Sequence, residues 1–310
     1  MDAMTGATEF SLPTGIVPSV APIAVDLTGD GILDIVVVSA TGGIGAYDGK
    51  DQRSLWVYSS QAGFLGAPLV RDFTGSGKPE ILVTDRAGKV ATIDGATGKE
   101  VWSATTGNAS AGAGLLYDSP SGRLVILGNR DHSVYAFSAR TGELVWRYPV
   151  RSPVASRLFK VPEPESKDLA VFCAERLGLQ VLNLRWQILQ WRYDLPGKCV
   201  GEPLVANVFG DDQPEVIVAS DKRVLHTVTG GQAAVTFLDM LELPGVPAAG
   251  PALLYRGTET PGILAITVSG LRSRTIGAGA AAVLGYSFSA LGPPVVSHPV
   301  TGLAAEGNAG

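Results

Sequence analysis

The chain has 310 residues, 45% of them hydrophobic and 17% charged, with 24 Lys plus Arg against 29 Asp plus Glu for a formal net charge of −5. So high an apolar content with so little charge excludes disorder, and an acidic balance along the whole chain argues against a nucleic-acid partner. Gly, Pro or a charge interrupts every apolar run before the roughly 18–20 residues that cross a bilayer, so no membrane span is expected.

Taken from the start, residues 1–19 read as an N-terminal segment. Met1 to Leu12 show neither a basic start nor an apolar stretch, so no signal peptide is expected within them. Residues 7–15 resemble the outermost strand of a repeat unit, with Phe10 in the aromatic position. From residue 20 onward one pattern returns at steps of about 45 residues. An aromatic closes it each time, at Trp56, Trp102, Trp146, Trp191 and Phe237. Pro22, Pro68, Pro203 and Pro251 open strand-like runs with the same step. A sixth copy, residues 288–300, follows an insertion at residues 271–282.

Within a unit the runs are short, rich in Val, Ile and Leu, and bounded by Gly, Pro and Asp, which makes them strands rather than helices. In the second unit they fall at 68–71, 80–84, 90–93 and 100–103. Four antiparallel strands cannot bury both faces alone, whereas copies arranged radially can, with only short edges left over. The expected fold is therefore an all-β β-propeller of four-stranded antiparallel blades. Six blades are expected, with seven as the alternative, in a single domain over residues 20–300 followed by a flexible tail at 301–310. The recurrent Trp is assigned to the seam between neighbouring blades. Cys173 and Cys199 fall on strands of different units and read as two buried free thiols.

Two resemblances follow from these residues. The stretch from Asp26 through Gly29, Asp30 and Gly31 to Asp34 is similar to the FG-GAP/VCBS repeat of integrin-like propellers. The ending that runs Asp94, Gly95, Thr97, Gly98, Trp102 resembles the repeat of pyrroloquinoline-quinone-type (PQQ-like) propellers, including the outer-membrane assembly lipoprotein family. The first resemblance implies a structural Ca²⁺ held by the side chains of Asp26, Thr28, Asp30 and Asp34 and the carbonyl of Ile32. Such an ion wants six to eight hard oxygens. The alternative is a metal-free turn whose side chains bond backbone amides. Loops 72–80 and 207–215 keep parts of this outline with oxygens missing.

The turns between second and third strands are expected on one face. They carry Arg86, Arg130, Arg176 and Arg223, and the insertion adds Arg272 and Arg274. The two readings are ordinary solvated hairpins and a polar mouth that engages a partner or an anionic group, the lengthened loop being the favoured place for specialisation. Trp186 stands where a sister unit has the turn residue Thr141. It is read either as an interface anchor or as folded over Tyr193 or a neighbouring blade. His132, His226 and His298 show no metal spacing.

The sequence thus points to a non-catalytic binding or scaffold propeller with another protein as partner, monomeric and part of a larger protein. By resemblance it is extracellular, cell-surface or periplasmic. A carbohydrate-binding propeller is the alternative. A quinone-dependent dehydrogenase stands further off, because the cysteines are not adjacent and the blades are too few; no PQQ is expected.

Overall fold

The computed structural model describes residues 16–286 apart from 40, 65, 162–167, 208–213, 231–234, 244, 248, 255–261, 268–269 and 276–282. The expected strands at 7–15 and 288–300 lie outside the described residues. So do the tail and the first fifteen residues of the N-terminal segment.

Six four-stranded sheets lie among the described residues, each with its strands side by side in chain order. The first holds β1 (Ile23–Val25), β2 (Asp34–Val38), β3 (Gly43–Tyr47) and β4 (Ser54–Ser59). The second holds β5 (Leu69–Arg71), β6 (Glu80–Thr84), β7 (Lys89–Asp94) and β8 (Glu100–Thr105). The third is β9 (Leu115–Ser119), β10 (Gly122–Asn129), β11 (Ser133–Ser138) and β12 (Leu144–Pro149). The fourth is β13 (Phe159–Lys160), β14 (Leu169–Ala174), β15 (Gly178–Asn183) and β16 (Ile188–Tyr193). The fifth is β17 (Cys199–Ala206), β18 (Glu215–Ser220), β19 (Val224–Gly230) and β20 (Val235–Glu242). The sixth is β21 (Ala252–Leu254), β22 (Gly262–Thr267), β23 (Gly270–Thr275) and β24 (Val283–Tyr286). No helix occurs among the described residues. Antiparallel four-stranded sheets repeated in this way are propeller blades, and the fold is of the all-β propeller class.

The second strand of each unit reads as an unbroken apolar run because both its faces are covered. Every residue of β6, β14 and β18 is buried. Fourth strands alternate instead, as in β4, where Trp56 is buried between exposed or half-buried neighbours. Immediately before the aromatic, β4, β8 and β16 each skip one residue against the third strand, a bulge that re-aims the side chain.

The chain divides into two compact units, Met1–Leu127 with Tyr135–Trp146, and Gly128–Val134 with Arg147–Gly310. In the first unit, Trp56 packs with Leu27, Ile81 and Ile93, and Trp102 with Phe73, Leu82 and Phe137. Each indole ties one sheet to the next. Trp56 Nε1 donates to the carbonyl of Gly95 at 2.8 Å, and Trp102 Nε1 to that of Ala139 at 2.9 Å. The seam role expected for Trp is therefore realised at these two positions.

In the second unit, Val171, Val181 and Trp191 share a core with Val216, Val218 and Val228 of the following sheet. A disulfide joins Cys173 on β14 to Cys199 on β17, with a Cα–Cα distance of 6.2 Å. This corrects the expectation of free thiols. Packing the fourth sheet on the fifth brings together two sulfurs that are far apart in sequence, and no spacing rule signals that.

Candidate functional site

The acidic loop was the first candidate. Asp34 is buried at the root of β2, where its Oδ2 accepts from the amides of Leu27 and Thr28 at 2.8 and 3.1 Å. Its Oδ1 accepts from Gly49 at 3.0 Å. Asp26 accepts from Gly29 and Gly31 at 2.6 and 2.9 Å, and Asp30 accepts from Ile32 at 2.9 Å. The Gly31 amide, followed by those of Gly29 and Asp30, holds the Asp26 carboxyl below its ordinary value. The 72–80 loop repeats the arrangement. Asp72 accepts from Gly75, Ser76 and Gly77, while buried Glu80 accepts from Phe73 and Thr74.

These carboxylates face N–H donors instead of converging on a common point. Among the described residues no three acidic, His or Cys side chains gather as metal ligands. In this arrangement the donor set does not fit the six to eight converging oxygens of Ca²⁺. The loop works as an amide-binding turn in which the first acid fastens the bend and the last fastens its base.

The turns between second and third strands are built differently. In the first unit, Arg86 donates its amide to the carbonyl of Gly63 at 2.9 Å. Beside it, buried Asp85 accepts from the amides of Ala87 and Lys89 and from Ser60 Oγ. In the second unit, Glu175 donates its amide to Pro153 at 2.8 Å and Asp221 to Lys198 at 3.0 Å. Each of these three turns is thus bonded to the segment that enters its own sheet, so the backbone is fixed and the side chains project. Arg86, Arg130, Arg176 and Arg223 are all exposed, and none makes an ion pair among the described residues.

The acids of the second unit's turns have partners of their own. Glu175 meets Lys198 Nζ at 2.9 Å, and Asp221 Oδ1 accepts from the Lys198 amide at 3.0 Å. The hydrogen bond from Lys198, then the charges of Lys198, Arg176 and Arg130, hold the Glu175 carboxyl below its usual range. The same rim carries exposed Lys198 and Lys222. Lys222 stands in a turn the sequence already singles out as basic, whereas sequence reading missed Lys198, which lies in a connecting segment with no motif.

Arg272 and Arg274 do not sit in an inserted loop. They lie on β23, paired with Ala265 and Ile263 of β22. The alternation Leu271, Arg272, Ser273, Arg274, Thr275 is a strand pattern, and its charges masked the period of two. Trp186 does not fold over Tyr193. It is 64% exposed at the turn into β16, with the Arg185 guanidinium 4.9 Å from its ring. Tyr193 instead meets Nδ1 of buried His226 at 3.0 Å, and burial pushes the imidazole below its ordinary value. The disulfide staples two sheets across a separation of 26 residues, unlike the adjacent pair of quinone-dependent dehydrogenases.

Residues 33–158 match the family model described as outer membrane protein assembly factor BamB. No curated protein matches the chain. Among solved structures, it is similar to the computationally designed Ika8 protein, at 15% identity and a TM-score of 0.58 over 79% of this chain and 67% of that one. A structure titled as BBS1N in complex with ARL6DN is similar at 12% identity and a TM-score of 0.61, over 85% and 81%. BamB from Moraxella catarrhalis is matched at 15% identity and a TM-score of 0.47, over 79% of each chain. At these identities the first two likenesses show the fold alone, and the last is too distant to carry an argument.

Proposed function

We propose that the chain is a non-catalytic propeller that binds another protein, a scaffold in the manner suggested by the BamB description. The observation that carries this reading is the set of turns whose backbones are tied down while their arginines stand exposed and unpaired. A rigid frame that presents charged side chains loses little entropy on binding, so contacts made there translate into affinity. The partner-binding residues are Arg86 in the first unit and Arg130, Arg176 and Arg223 in the second. Trp186 is a separate apolar anchor. Arg272 and Arg274 belong to the proposal only as strand residues.

The proposal places the protein outside the reducing cytosol, in the periplasm or at the cell surface. The disulfide supports this, since such bonds persist in oxidising compartments. Calcium is left out, because the Asp26 to Asp34 carboxylates are already engaged by amides. Affinity capture from the source organism tests the function. Tagged native protein is compared with a variant carrying Arg→Glu changes at Arg86, Arg130, Arg176 and Arg223. A protein retained by the native chain and lost by the variant is expected. Equal retention by both would remove the basic turns from the account.

A further inference from the structure

The basic rim of the second unit has a chemistry that narrows what it can hold. Arg130, Arg176, Lys198, Lys222 and Arg223 stand on it against Asp131, Glu175 and Asp221, a local excess of positive charge within a chain of net charge −5. All three acids are engaged, Asp131 by Arg147, Glu175 by Lys198 Nζ and Asp221 by the Lys198 amide. The exposed charge that an approaching partner meets is therefore positive.

Backbone donors are missing from that surface because the turns consume them. The amide of Asp131 goes to Asn129 Oδ1, that of Arg176 to Ser152 Oγ and that of Lys222 to Ser220 Oγ. The Arg223 amide goes to the Ser220 carbonyl. A compact phosphate site gathers several backbone N–H groups into one concavity, whereas these four are spent within their own turns. It offers guanidinium and ammonium groups distributed over successive turns. The planar fork of Arg matches a carboxylate.

Two of the five non-glycine residues at positive φ among the described residues, His132 and Arg223, lie in these turns. In the first unit the turn position whose carbonyl receives the end of the fourth strand is glycine, Gly42 at φ +112° and Gly88 at φ +91°. In two turns of the second unit that position is His132 at φ +71° and Arg223 at φ +64°, with carbonyls receiving the amides of Val150 and Leu243, while the positive φ of the Arg176 turn falls on Gly178 at +67°. A side chain kept where glycine would be relaxed costs stability, and such strain collects at ligand sites.

We infer that this rim binds an extended acidic segment of a partner protein, whose carboxylates meet Arg130, Arg176 and Arg223 in turn. The inference rests on the reading of the turns as a protein-binding face and deepens it. The fourth and fifth sheets are packed together and stapled by the disulfide. Packed sheets stand about 10 Å apart, and an extended chain advances about 3.3 Å per residue, so carboxylates about three residues apart reach successive turns.

The test uses the full chain and a fluorescein-labelled peptide of about a dozen residues with Glu at every third position and Ser elsewhere. Fluorescence anisotropy is expected to show binding that weakens as salt is raised. The R176E/R223E double variant should bind at least about tenfold more weakly with an unchanged melting temperature. R140E, the same kind of charge change on the first unit, should bind as the native chain does. No binding beyond that of an all-Ser peptide overturns the inference, as does displacement by inorganic phosphate at the same charge concentration. Equal binding by R176E/R223E overturns it too. If the double variant loses a captured partner while the native chain ignores the acidic peptide, the acidic segment is refuted and the binding face stands.

Discussion

A Cβ placed on Gly98 would stand 2.6 Å from Cγ of Trp56, and one on Gly142 would stand 2.5 Å from Cε3 of Trp102. In the second and third sheets the glycine ending the third-to-fourth-strand turn is thus the seat of the indole from the preceding sheet; in the first and fourth sheets Gln52 and Gln187 hold that place. The second residue of the same turn, Gly95 or Ala139, supplies the carbonyl that the indole N–H bonds. Both glycines also hold positive φ, +70° and +72°. The motif that recurs in sequence is therefore a lock between one sheet's turn and its neighbour's aromatic. Gly98→Ala meets a clash and an unfavourable backbone together and should destabilise by about 1–3 kcal/mol. Trp102→Ala should cost about 3–5 kcal/mol. Thermal melts followed by circular dichroism measure both.

The Cys173–Cys199 disulfide closes a loop across a sequence separation of 26. Loop-closure entropy for that length gives about 3 kcal/mol of stabilisation. A Cys173→Ser, Cys199→Ser double variant should melt below the oxidised protein and be indifferent to dithiothreitol, whereas the native chain should lose stability in reductant. A native melting curve unaffected by reductant, with free-thiol titration confirming reduction, would contradict the staple.

Asp34 accepts three backbone amides through two oxygens. Asp34→Asn substitutes an NH₂ group for one of those acceptors and turns a donor toward a donor, which costs about 1–3 kcal/mol. Because these oxygens serve amides, millimolar Ca²⁺ should leave the melting temperatures of both native and variant chains unmoved. A rise with Ca²⁺ in the native chain that is absent in Asp34→Asn would restore the metal reading.

The pH dependence has two parts. Asp26 and Asp48 are held below the ordinary 3.8, first by the Gly31 and Asp51 amides respectively, and Glu175 below 4.5, first by Lys198. Folded carboxyls with depressed values contribute stability that is present above the ordinary value and lost as pH falls through the folded one. His226 titrates below 6.5 because it is buried. Below that pH the unfolded chain takes up a proton that the folded chain resists, so stability declines there first. Melting temperature should therefore fall between pH about 7.5 and about 5.5 in the native chain and much less in His226→Gln, with a second fall below pH about 4 in both.

The fold was legible because a propeller writes its period into the chain. The strands read at 80–84 and 100–103 recur as β6 and within β8, and the Trp spacing reports seams that each copy must rebuild. The site was legible only in part. Arg86, Arg130, Arg176 and Arg223 could be placed because local turn residues position them. Lys198, the Cys173–Cys199 pair and the Tyr193–His226 contact depend on how sheets pack, and no local rule carries that information. Arg272 and Arg274 were misplaced because charged residues in an alternating strand resemble a loop.

The central claim is that the partner is held by the projecting arginines of the fixed turns. Arginine modification with phenylglyoxal, read by mass spectrometry with and without the captured partner, tests it most directly. Arg130, Arg176 and Arg223 should react in the free protein and be shielded in the complex, while Arg140 reacts equally in both. Shielding confined to Arg140, with the three turn arginines still reactive, would contradict the account.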